Sequence, residues 1–153
     1  KLFPFYLDSK DGYITSKFTS KVSLGIADYP MCRLAEAYLI EAECLLKGSQ
    51  PDVVKGLQIL NALRVKRGES QLTSAQFTSD EIWKERRREL YGEGFALSDI
   101  KRLQKPLERV GEEHWSDVIT LPANSPRMMF PIPADELDYN KSATSDDQNE
   151  YWR

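Results

Sequence analysis

Hydrophobic positions in this chain follow two different rhythms. Between about residue 30 and residue 103 they recur at helical spacing, whereas on either side they come in short clusters broken by Gly, Pro, Asp and Asn. The helical rhythm predicts one helix starting near Pro30, where a proline suits the first turn, and running to Lys47 before Gly48. A second is expected after Pro51, running to Arg67 and stopped by Gly68. Thr78-x-x-Glu81 has the form of a capping box and predicts a third helix ending near Gly92 or Gly94. A shorter fourth helix is expected over Leu97 to Leu103. Residues 1–29 read as extended and loop structure, with aromatic segments flanking the Asp11-Gly12 turn signal and a short strand at Lys17-Phe18-Thr19. Gln104 to Arg127 lacks periodicity, Met128 to Ile132 reads as a short strand, and Ala134 to Tyr139 as a helical turn.

Two long helices joined by a tight turn form an αα-hairpin, the unit of tetratricopeptide-like repeats. The first helix carries a stripe of Leu34, Tyr38, Ala42 and Leu45, widened by Leu39 and Leu46, while Ala37, Ile40 and Cys44 lie on its far side. A helix apolar nearly all round is packed on more than one side. The expectation is that this chain docks against further protein, most simply an N-terminal part of its own.

The third helix breaks the apolar pattern. Arg86 and Glu93 fall within the arc of Ile82, Trp83 and Leu90, and Glu89 lies at its edge. Glutamates at i and i+4 repel each other, so they are tolerable near a core only with a cation close by, and Arg86 is placed for that. The expectation is a structural ion network of Arg86, Glu89, Glu93, Asp99 and Arg102. A catalytic carboxylate pair would instead need to flank an open cleft, which residues on one packed helix do not predict.

Composition narrows the function classes. The 153 residues suit a single domain and show 41% hydrophobic and 29% charged residues, the profile of an ordinary globular chain. Net charge is −3, with Lys and Arg spread along the chain, so no basic footprint for nucleic acid appears. No apolar run reaches the roughly 20 residues of a membrane helix. The start at Lys1, without a signal peptide, leads us to expect a piece of a larger chain. Cys32 and Cys44 fall within one predicted helix, about 18 Å apart, too far to bridge each other. Both are expected to be buried thiols, and no cofactor is expected.

Four ordered motifs carry a resemblance. Arg33-Leu34-Ala35-Glu36-Ala37-Tyr38-Leu39-Ile40-Glu41-Ala42-Glu43 is followed by Leu60-Asn61-Ala62-Leu63-Arg64 with Arg67-Gly68. Next come Glu85 to Gly94 with Asp99 and Arg102, then Pro131 to Glu136 and Gln148 to Tyr151. Over residues 30–152 the chain resembles the C-terminal region of the SusD/RagB family of outer-membrane nutrient-binding lipoproteins. It departs from that pattern at Phe95-Ala96 after Glu93-Gly94, at Asn140-Lys141 and at Glu150.

The resemblance implies an all-α fold, an α-α superhelix of tetratricopeptide-like helix pairs with long loops and minor short strands. It implies one C-terminal domain over 1–153, with a lead-in over 1–29, a helical core over 30–103 and a loop-rich cap over 104–153. It also implies a non-catalytic subunit that captures glycans or other nutrients. Such a subunit would be anchored at the cell surface through an N-terminal lipidated cysteine and partnered by a SusC-like TonB-dependent transporter.

Sugar binding needs aromatic faces with polar neighbours. Trp115, beside His114 and Ser116 in the long connection, is the candidate of that kind, although aromatics in such loops more often anchor them. His114 has no second His or Cys nearby, so metal ligation is not expected. Trp83 is expected in the core, and Tyr151-Trp152 to fasten the C-terminus. The rival readings are a tetratricopeptide-like adaptor for a protein partner and a glycosidase using Glu89 and Glu93.

Overall fold

A computed structural model describes residues 5–7, 13–15, 31–109 and 120–153. The chain divides into two compact units, Lys1–Glu93 and Gly94–Arg153.

In the first unit, strands β1 (Phe5–Leu7) and β2 (Tyr13–Thr15) pair antiparallel, with Tyr6 opposite Ile14. The Asp11-Gly12 turn signal and the Lys17 to Thr19 strand fall outside the described residues. Helix α1 spans Leu34–Lys47, beginning four residues after Pro30, and its cap residue Arg33 is extended. Glu36 in its first turn and Lys47 in its last complement the helix dipole. Helix α2 spans Val53–Lys66, where the Asp52 carboxylate accepts from the Lys55 N–H at 2.9 Å. Gly68 ends it in the left-handed region at φ 78°.

α1 and α2 pack as the expected hairpin. The buried line of α1 is Ala35, Leu39 and Ala42, and α2 contributes Gly56, Leu60 and Leu63. Gly56 is required by close approach: a Cβ there would lie 2.9 Å from Phe77 Cζ and 3.2 Å from Leu45 Cβ. The linker after α2 is held by Asn61, whose amide donates to Leu72 O and accepts from Leu72 N–H. Helix α3 (Ser79–Glu89) packs on α1, and Thr78 Oγ1 accepts from the Glu81 N–H.

Two expectations for α1 are corrected here. Leu34, Tyr38 and Ile40 are exposed, so the stripe read from the sequence is not the buried line. Cys32 precedes the helix, and both Cys32 and Cys44 are exposed free thiols rather than buried ones. The reason is shared: the described residues cover only one side of α1.

In the second unit, α4 (Ala96–Arg102) is followed by β3 (Leu107–Glu108), which pairs antiparallel with β4 (Thr120–Leu121). The strand expected over Met128–Ile132 does not form. Pro126 starts a 3₁₀ turn through Met128, and Pro131 and Pro133 lack the N–H a ladder needs. Helix α5 (Ala134–Tyr139) forms where the helical turn is expected. Helices dominate and strands are short, so the fold is all-α. No helix among the described residues is long and apolar enough to cross a membrane.

Candidate functional site

Charge is concentrated where α1 begins, α2 ends and α3 ends. Arg33 stands just before α1, Arg64 and Arg67 lie in the last turn and cap of α2, and Glu85 and Glu89 face inward from α3. Glu93 lies beyond the end of α3, between left-handed Gly92 (φ 77°) and Gly94 (φ 85°), and is buried as well.

The Glu89 side chain is 1% exposed and binds two guanidinium groups. Arg67 grips it bidentately, Nε to Oε2 at 2.8 Å and Nη2 to Oε1 at 2.6 Å. Arg33 adds Nη1 to Oε1 at 2.9 Å. Arg33 also grips Glu93 bidentately, Nε to Oε2 at 3.0 Å and Nη2 to Oε1 at 2.6 Å. Its Nη2 further donates to the Glu89 main-chain carbonyl at 2.8 Å, satisfying an orphan acceptor at the C-terminal end of α3. Planar forks of this kind make the strongest charge-assisted hydrogen bonds.

Glu85 forms a second centre. Its Oε2 accepts from Arg64 and, at 2.7 Å, from Arg88, while Arg64 Nε donates to Ser70 O. Glu85 Oε1 is buried and makes no hydrogen bond to the described residues. Arg86 is buried and approaches Glu36 of α1 at 3.9 Å.

Burial pushes the Glu89 carboxyl up, but the hydrogen bonds from Arg67 and Arg33 outweigh it and hold it below its ordinary range. The Glu93 hydrogen bond raises Arg33, and the Glu89 hydrogen bond raises Arg67. A general acid needs the opposite, a carboxyl raised toward neutrality and within reach of substrate. Glu89 is locked in its ionised form with both oxygens engaged. The arrangement therefore fixes three helices together, and Glu89 is held in the form opposite to that of a general acid.

The sequence brought Arg86, Glu89 and Glu93 to one face, and the structure places all three inside the first unit. The forks on Glu89 and Glu93 come from Arg33 and Arg67, which the helical pattern of α3 alone could not supply. Their signal was positional: one arginine immediately before a helix and one at a helix end beside Gly68, both free of the apolar stripes. Asp99 and Arg102 pair with each other in the second unit, Nε to Oδ1 at 2.8 Å. Trp83 is half-buried, with the Arg87 guanidinium 5.0 Å from its ring centroid. Trp115 and His114 lie outside the described residues. Among the described residues no cluster of His, Cys, Asp and Glu could hold a metal ion.

A helical hairpin clasped to a third helix by inward-facing ion pairs defines a scaffold of the tetratricopeptide-like class. A sequence model described as the SusD family matches residues 7–152, and the chain belongs to that family. Solved relatives agree. A SusD superfamily protein from Bacteroides vulgatus is 33% identical with a TM-score of 0.68, over 84% of this chain and 30% of its own. One from Bacteroides thetaiotaomicron is 33% identical with a TM-score of 0.69, over 80% and 28%. A SusD-like carbohydrate binding protein from Bacteroides vulgatus is 28% identical with a TM-score of 0.63, over 77% and 30%. This chain thus spans under a third of the length of these three structures. No curated protein sequence matches it.

Proposed function

We propose that the chain serves in a glycan-binding subunit of a nutrient uptake system, holding cargo without transforming it. Family membership over residues 7–152 carries this reading, and the likeness to a SusD-like carbohydrate binding protein supports the glycan. The inward ion clasp supports the non-catalytic part, because both oxygens of Glu89 and of Glu93 are engaged by arginines. In this reading the chain is the single C-terminal domain of a longer protein that is lipid-anchored at the outer face of the outer membrane. Its partner is a SusC-like TonB-dependent transporter. Leu34, Tyr38 and Ile40, exposed on the two flanks of the buried line of α1, pack against an N-terminal part of the same protein.

The test is a glycan array probed with the full-length protein. The expected result is retention of one glycan class, which is recovered intact. Release of reducing sugar from a bound glycan would overturn the non-catalytic reading, and silence across the array would overturn glycan binding.

One observation favours a second reading, a tetratricopeptide-like adaptor. An open groove of about 360 Å³ runs between α1 and α2, lined by Tyr38, Gln58, Ile59, Ala62, Leu63 and Lys66. A peptide retained in place of a glycan in a pull-down would favour it.

A further inference from the structure

The C-terminal turn of the second unit combines rigid anchoring with exposed aromatic surface. Gln148 clamps Ile132, its Oε1 accepting from the Ile132 N–H at 2.8 Å and its Nε2 donating to Ile132 O at 3.0 Å. Asn149 Nδ2 donates to Phe130 O, and the Trp152 indole N–H donates to Met129 O at 2.8 Å. Tyr151 and Trp152 meet edge to face, with centroids 5.0 Å apart and planes at 86°. The Arg127 guanidinium sits 5.0 Å from the Tyr151 centroid.

The rings also keep surface outside these contacts: Trp152 remains 45% exposed, Tyr151 46% and Phe130 79%. The indole is held by its N–H edge, which fixes its orientation while leaving much of its surface outside.

We propose that the exposed rings of Trp152 and Phe130 form a stacking site for a pyranose ring, with Tyr151, perpendicular to the indole and covered by the Arg127 guanidinium, as its support. The inference rests on the glycan-binding reading and adds the place where a sugar is held. The C–H groups on one face of a pyranose suit the electron-rich face of an aromatic ring. Glu150 and Arg153, exposed neighbours of these rings in sequence, are the charged groups nearest to hand for the sugar's hydroxyls, and Arg153 Nε already donates to Gln148 O at 3.0 Å. Because hydrogen bonds already immobilise the turn, a sugar pays little ordering entropy on binding.

The test compares full-length wild type with Phe130→Ala and Trp152→Ala on a printed array of plant, fungal and host glycans. The expected result is a loss of about tenfold in apparent affinity for the retained glycan in each variant. Phe130→Ala keeps its melting temperature because that side chain lies largely in solvent, so its loss of binding is read without loss of fold. Variants that bind as wild type overturn the platform and leave glycan binding standing. A wild type that binds nothing on the array overturns both. A shift of tryptophan emission on adding the retained glycan, absent in Trp152→Phe, supports the platform independently.

Discussion

The two units solve the same problem with different chemistry. In the first, regular helices bring whole charges inward, and guanidinium forks from α1 and α2 close on the carboxylates at the end of α3. In the second, irregular backbone between short elements is held by neutral side-chain amides that bond the main chain, above all Gln148 on Ile132. Helices satisfy their own backbone, so side chains are left to join one helix to another. Loops do not satisfy theirs, so side chains must supply the missing partners. The first unit should therefore answer to charge and the second to amide geometry.

The sharpest way to break this contrast is Glu89→Ala. It removes the buried carboxylate that holds Arg33 and Arg67 together, leaving Arg33 its fork to Glu93, and a loss of about 3 kcal/mol is expected in urea unfolding. A loss near zero would mean the forks contribute nothing. Gln148→Ala acts on the other unit. It removes both bonds to Ile132 and should cost about 2 kcal/mol. Hydrogen exchange should report faster opening over residues 120–153 while 34–89 stay protected. Equal loosening of both segments would erase the distinction.

Acid gives the gentlest probe. The Glu89 carboxyl is held below its ordinary value of 4.5, so its stabilisation is complete above that pH. It is lost as the pH falls through the lower folded value. Melting followed across that window should fall for wild type and fall less for Glu89→Gln, which has no carboxyl to protonate. Identical slopes would remove Glu89 from the acid response.

Much of the first unit was legible because its punctuation is local. Pro51 precedes a helix and Thr78 caps one, Gly68 and Gly92 turn left-handed, and the apolar repeats between them fix helix type. The family motifs were legible for the same reason, as fixed residues at fixed offsets. The partners of Glu89 and Glu93 were not, since Arg33 and Arg67 lie 56 and 22 residues away from Glu89 and only packing brings them in. Helical periodicity could rank Glu93 beside Glu89, yet it could not see that the helix stops at Glu89 and that Glu93 returns through a glycine turn. Hydrophobicity around α1 pointed to packing on more than one side, but a composition cannot say which partner supplies the second cover. In the second unit, Met128 to Ile132 had strand-like residues, and the prolines around them decided otherwise.

Arg33 and Glu93 stand 60 residues apart in sequence, one immediately upstream of α1 and the other just downstream of α3. Their fork joins the two ends of the three-helix segment into a ring without a covalent bond. Fraying from either end must first open this hasp, so the segment should come apart as one block. Any shortened version of the protein would have to begin ahead of Arg33 and continue past Glu93, since trimming a single residue too many at either border would leave the ring open.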